Sequence, residues 1–245
     1  MQLRVLPENV QMICRQYDRE LLKTLGDKLY GVYMYGAAVF EDAGRIRDID
    51  CHVILRTSLT DGEREKIFAL NKALAKQFPP LGGEIDAYYL LLEDTKRTSP
   101  PRNQLRPDIC DESWSLHCAH VRAGYYITLH GPDPTDIFPP PSWRDIAAAL
   151  DHEMRFIEEN LEYPDYCVLN LCRIIYSFLE RDVVVSKRFS GNWLCSRFPQ
   201  WAPLVNSAIR SYEDAGTTED DRLLYDEVEN FLEFASDCIR EVRDE

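Results

Sequence analysis

The chain has 245 residues and carries 28 Lys and Arg against 42 Asp and Glu, a formal net charge of −14. At roughly 100–200 residues per domain this is one large domain or two modest ones. So negative a surface repels phosphate backbones and anionic bilayers, which excludes a general nucleic-acid or membrane-surface binder as a first reading and favours a small cationic partner.

The opening stretch MQLRVLPENVQMICRQYDRELL lacks the apolar run of a secretory signal, and no segment approaches the ~18 apolar residues of a membrane span. A cytoplasmic protein is expected. In that reducing compartment the eight cysteines read as buried free thiols, since none are paired at CxxC spacing. Residues 8–26 carry Val10, Ile13, Cys14, Tyr17, Leu21, Leu22 and Leu25 at helical spacing, with Gly26 placed to end the helix. LYGVYMYG then reads as a buried strand ending at Gly36, and IDCHVILR as a second strand with alternating faces. A helix over 61–78 stops at Pro79 and Pro80, and EIDAYYLLL is a third strand. His117 and His120, with Cys118 between them, fall on one helical face. They lack the further ligands of a metal site, so a structural role is the expectation.

The proline-dense segment GPDPTDIFPPPSW separates this half from a different texture. Beyond it the pattern predicts helices over about 145–161, 164–180, 186–198, 200–215 and 219–243, without a strand. The expected architecture is therefore α+β: a mixed-sheet domain over residues 1–141, then an all-helical domain over 142–245.

Chemistry concentrates in the first half. A strand running into Gly36 lets backbone N–H groups approach a phosphate. After a short polar turn, Asp48 and Asp50 fall on one face of the next strand, because side chains alternate with period two. Two adjacent carboxylates repel each other, and a divalent cation relieves that; among hard oxygen ligands Mg²⁺ is the default. Glu84 and Asp86 repeat the device on the third strand. Three carboxylates about one or two Mg²⁺ ions suit nucleotidyl transfer, in which the metal neutralises a leaving pyrophosphate and a base takes the acceptor's proton. The alternative is that Asp48 and Asp50 are turn and strand-edge residues, since a bare DxD is common.

YGAAV followed by RDIDCHV resembles the glycine-plus-DxD signature of the DNA polymerase β-type nucleotidyltransferases. YYITLHGPDPTDIF, CVLNLCRIIYSFLERDVVVSK and GNWLCSRFPQWAPLVNSAIRSY extend the resemblance to the streptomycin/spectinomycin adenylyltransferases, over residues 28–214. The resemblance implies a nucleotidyltransferase domain and a helical domain with ATP and an antibiotic held between them. By it, Asp48 and Asp50 are Mg²⁺ ligands and Asp86 is the general base. Gly36 and Ala37 cradle the triphosphate, and Arg173 and Lys187 reach its phosphates. The reaction implied moves AMP from ATP to a hydroxyl of an aminoglycoside or aminocyclitol, a mode of antibiotic resistance.

Two readings stand beside it: a nucleotidyltransferase with a protein or metabolite acceptor, and a silent module that binds nucleotide or cation. Ala37 stands where the family has serine, and Asp86 where it has glutamate, one methylene longer. Glu84 is placed to share the base's task. In the family a tryptophan of the first domain and acidic residues opening the central helix hold the drug; here Trp114 lies elsewhere, and Glu162 and Asp165 are the acidic candidates. Asp165, after a proline, is equally an ordinary first-turn residue. Asn170, Arg173, Ser177 and Glu180 form one polar stripe on the otherwise apolar helix 164–180. A charge there needs a partner, either Glu180 or a ligand phosphate.

Overall fold

The structure, a computed structural model, describes residues 5–244. The chain divides into two units: Met1–Glu41 with Ile46–Asp145, and Asp42–Arg45 with Ile146–Glu245.

In the first unit, apolar residues at spacings of three and four bury one side of α1 (Glu8–Leu25), and Gly26, at φ 52°, ends it. The strands are β1 (Leu29–Tyr35), β2 (Ile49–Leu55), β3 (Ile85–Leu91) and β4 (Ile127–His130). Helix α2 (Asp61–Gln77) crosses from β2 to β3, which makes those strands parallel. A capping box starts it: the Thr60 hydroxyl accepts the Glu63 N–H, and the Glu63 carboxylate accepts the Thr60 N–H. The sheet order is β3-β2-β1-β4, with β1 antiparallel to both neighbours.

After β3 come a single turn, α3 (Leu92–Thr95), and a long loop leading to α4 (Trp114–Arg122). Buried Asn103 ties that loop down, its side-chain oxygen accepting the Leu105 N–H at 2.9 Å, while the Gln104 N–H donates to the Tyr89 carbonyl at 2.7 Å. Helix α4 covers one sheet face, where Tyr33, Ile54 and Leu90 pack with Trp114, Cys118, Val121 and Phe138. Neither α4 nor β4 is among the elements expected from periodicity.

The second unit is helical: α5 (Trp143–Glu158), α6 (Pro164–Glu180), α7 (Lys187–Arg197), α8 (Ala202–Tyr212) and α9 (Thr218–Asp244). Helix α6 is buried nearly all round and packs against α7, α8 and α9. Asn170 and Ser177 satisfy their polar groups on the helix itself, donating to the Tyr166 and Arg173 carbonyls one turn back. All eight cysteines are free thiols. No described helix is long and apolar enough to cross a membrane.

Candidate active site

Register decides which side chains meet at the sheet's edge. Tyr35 stands opposite Asp50 across antiparallel β1 and β2, and Asp50 opposite Asp86 across parallel β2 and β3. Paired residues share a face, so these three side chains form one row. Tyr33, His52 and Tyr88 form the next row on the same face.

Gly36 follows β1 at φ 72°, and a Cβ built there would lie 1.7 Å from Asp50 Oδ2. Only glycine lets the Asp50 carboxylate pack this close to the backbone. Ala37 and the residues after it form a short 3₁₀ turn, Gly36–Val39. Asp48 immediately precedes β2; its Oδ1 is buried and has no hydrogen-bond partner. An orphaned carboxylate oxygen beside a second carboxylate is a donor set that a hard cation satisfies. Asp86 is half exposed, with Arg106 Nη2 at 3.8 Å. Its surroundings raise its pKa: desolvation leads, Arg106 opposes, Asp48 adds repulsion and His117 opposes again.

Glu84 departs from the expectation. Strand β3 begins at Ile85, and Glu84 at φ −104°, ψ 33° is not extended, so strand alternation does not carry its side chain onto Asp86's face. Its role in the sheet is a backbone one: its carbonyl accepts the Ile49 N–H at 2.8 Å. Trp114 is 1% exposed and donates its indole N–H to the Arg97 carbonyl at 2.8 Å, which makes it a core residue.

Beneath the carboxylate row lies a polar trio, of which sequence reasoning singled out His117 alone, beside His120 rather than with His52 and Asp111. Asp111 Oδ2 meets His52 Nε2 at 2.9 Å and His117 Nδ1 at 3.0 Å. The Tyr35 ring stacks on His52 at 4.1 Å and leans on His117 at 4.4 Å. The signal was a histidine two residues after Asp50, on the same face of an otherwise apolar strand. Its partner, Asp111, is 59 residues away in a loop without periodicity.

In the helical unit, no ion pair joins Arg173 to Glu180 among the described residues, and Arg173 Nε is buried without a hydrogen-bond partner. The Lys187 ammonium sits over the Tyr166 ring at 4.4 Å and the Tyr212 ring at 5.1 Å. Glu162 is exposed. Asp165, in the first turn of α6, accepts the Tyr166 N–H at 2.8 Å and the Ser211 hydroxyl at 3.2 Å.

Residues 136–237 match the family model for the C-terminal domain of aminoglycoside adenylyltransferases. Among solved structures, the crystal structure of the spectinomycin adenyltransferase AAD(9) from Enterococcus faecialis with ATP and spectinomycin is similar. Its TM-score is 0.75 at 16% identity, covering 91% of this chain and 99% of that one. At that identity the likeness establishes the fold: a mixed α/β unit followed by a helical unit. The family model thus covers the helical second unit, from the last residues of the first unit to within α9.

Proposed function

We propose that this protein is an adenylyltransferase that moves AMP from ATP to a hydroxyl of a cationic aminocyclitol or aminoglycoside and releases pyrophosphate. The observation that carries the reading is the row formed by Asp50 and Asp86, with Asp48 beside it and Gly36 packed onto Asp50. The similar fold of a spectinomycin adenyltransferase solved with ATP and spectinomycin supports both substrate classes.

In this reading residues 1–141 form the nucleotidyltransferase domain and 142–245 the helical domain. Asp48 and Asp50 would hold Mg²⁺, for which the orphaned Asp48 oxygen is suited; when bound, the ion would supply charge neutralisation on the transferring phosphate. Backbone N–H groups at Gly36 and Ala37 cradle the triphosphate, and Arg173 and Lys187 pair with phosphate oxygens. Asp86 orients the acceptor hydroxyl and takes its proton as the oxygen attacks the α-phosphorus. The bond from that phosphorus to the bridging oxygen breaks, and pyrophosphate leaves. The raised pKa of Asp86 makes it a better proton acceptor than an ordinary aspartate. Glu162 and Asp165 are the acidic groups available to ammonium groups of the acceptor.

The test incubates the protein with Mg-ATP and a panel that includes spectinomycin and streptomycin, following pyrophosphate release and the acceptor's gain of an adenylyl group. Adenylylation of at least one cationic acceptor is expected. Silence with every acceptor, combined with no affinity for Mg-ATP, would reject the proposal.

A further inference from the structure

Lys96, Arg97, Arg102 and Arg106 crowd the loop between α3 and α4, although the chain as a whole carries a charge of −14. The first three have local partners. Lys96 pairs with Glu93 at 3.0 Å, Arg97 lies 4.0 Å from Asp94, and Arg102 Nη1 donates to the Pro107 carbonyl at 3.1 Å. Arg106 instead faces Asp86, with Nη2 at 3.8 Å from Oδ1. At that separation the charges attract without a hydrogen bond, so the donors turned toward the carboxylate are not spent on it.

The loop is built to hold Arg106 in place. Asn103 is fully buried, and its side-chain oxygen accepts the Arg106 N–H at 3.4 Å as well as that of Leu105. The Asn103 N–H donates to the Ile109 carbonyl at 2.9 Å, and the Ile109 N–H returns to the Arg106 carbonyl at 3.0 Å. An antiparallel bridge between Arg102 and Cys110 closes the base of the turn. The bond from Gln104 to Tyr89 anchors it on β3, the strand that carries Asp86. A side chain on so tied a turn loses less freedom on meeting a ligand than one on a free loop. Arg106 and Asp86 are both about half exposed, which leaves them open to a reactant.

In the proposed transfer two reactants meet at Asp86, and only one suits a guanidinium. The acceptor is cationic, and Arg106 repels its ammonium groups. The α-phosphate is anionic, and the Asp86 carboxylate repels it unless a cation stands between them. A guanidinium fork matches a pair of phosphate oxygens.

We infer that Arg106 is a catalytic residue, donating hydrogen bonds to oxygens of the α-phosphate while the acceptor oxygen attacks. This rests on the adenylyl transfer proposed above. The acceptor O–H bond breaks and its proton passes to Asp86. The O–P bond forms, and the electron pair of the broken P–O bond leaves with pyrophosphate. Arg106 keeps its charge throughout and supplies it where the transferring phosphate passes its base.

Arg106→Ala and Arg106→Lys are assayed with the acceptor that the wild type adenylylates, alongside Mg-ATP affinity and thermal unfolding. Arg106→Ala is expected to lower kcat about 100-fold, with acceptor KM and Mg-ATP affinity changed less than about threefold. Arg106→Lys keeps the charge without the fork and should recover about tenfold of that loss. Guanidinium ion, added below unfolding concentrations, should raise the rate of Arg106→Ala and not that of the wild type. Arg97→Ala removes the same charge from the same loop and should keep wild-type kcat. Arg106→Gln, which retains most of the stem, carries the same expectation as Arg106→Ala and replaces it if the alanine variant unfolds. A kcat within about threefold of wild type in the alanine or glutamine variant overturns the inference. So does a loss matched by Arg97→Ala, or one that neither lysine nor guanidinium relieves. A wild type silent with every acceptor removes the transfer itself, and the role of Arg106 with it.

Discussion

Asp50 and Asp86 stand directly opposite each other on neighbouring parallel strands, with Gly36 closing over Asp50. Two carboxylates so placed suit a cation, so a charge-removing change at Asp50 should register in activity. Asp50→Asn is expected to lower pyrophosphate release at least about 100-fold, since metal charge stabilisation is worth several kcal/mol. An active Asp50→Asn would remove the aspartate from the metal's ligand set.

In the proposed reaction Asp86 carries the base role on a short side chain. Asp86→Asn should cost about 100-fold or more in kcat, in the range of lost general-base catalysis. Asp86→Glu should keep turnover within about tenfold, because a longer carboxylate still reaches the hydroxyl. Steady-state kinetics with a single acceptor separates the two; equal losses would mean that position 86 matters for packing rather than proton transfer.

The sequence made α1, α2 and the first three strands legible because Gly26, Gly36 and the Pro79-Pro80 pair punctuate runs of clear period. It made the long helices of the second half legible for the same reason, since α6 and α9 repeat apolar residues over many turns. Helix α4 escaped because Trp114, Ser115, Leu116, Cys118, His120 and Val121 are all buried, leaving no polar face to mark a period. Strand β4, Ile127–His130, is too short to show alternation and gains its place by pairing with β1. Asp48, Asp50 and Asp86 could be picked out by spacing, but the register that puts Asp50 opposite Asp86 depends on a crossover through α2. Glu84 was misplaced because alternation was carried one residue beyond the strand. Asp111 depends on loop contacts around Asn103, which no local pattern encodes.

Gly36 meets two demands at once, a positive φ and an open space against Asp50. Gly36→Ala should therefore destabilise the fold by about 2–3 kcal/mol, strain and steric conflict together, and abolish turnover. Gly26 is a control: it has φ 52° but nothing within 4 Å of a built Cβ, so Gly26→Ala should cost only about 1–2 kcal/mol and leave turnover intact. Urea unfolding of both variants gives the comparison. Equal losses would show that the approach to Asp50 adds nothing.

Arg173 presents a buried Nε without a hydrogen-bond partner. A buried guanidinium N–H left unsatisfied weakens the fold unless a ligand completes it. Arg173→Met keeps much of the volume and removes the charge. It should leave the unfolding free energy unchanged or raise it by about 1 kcal/mol, while Mg-ATP affinity falls about tenfold or more with loss of a charged phosphate contact. Calorimetric titration together with urea unfolding decides. A destabilised variant with normal nucleotide affinity would make Arg173 a structural residue.

Glu63 links the start of α2 to the rest of the first unit, and it gives stability a pH signature. Its carboxylate accepts the Lys28 ammonium at 2.7 Å, the Thr60 N–H at 2.7 Å and the Thr60 hydroxyl at 2.8 Å. The Lys28 bond leads the causes that lower its pKa from 4.5 to about 2, with the Thr60 backbone bond next. A folded pKa below the unfolded one means that the unfolded chain takes up the proton first as pH falls. The stabilisation is therefore complete above pH 4.5 and disappears as pH falls toward about 2. Glu63→Gln cannot ionise and should be less stable than the wild type by about 1–2 kcal/mol at neutral pH, the scale of a lost cap and charged hydrogen bond. That gap should close on acidification through the same window, because protonation removes from the wild type what the substitution has already removed. Urea unfolding of both proteins across the acid range measures it. A gap that stays constant with pH would mean that the side chain contributes through packing alone, and that the Lys28 and Thr60 bonds add no charge-dependent stability.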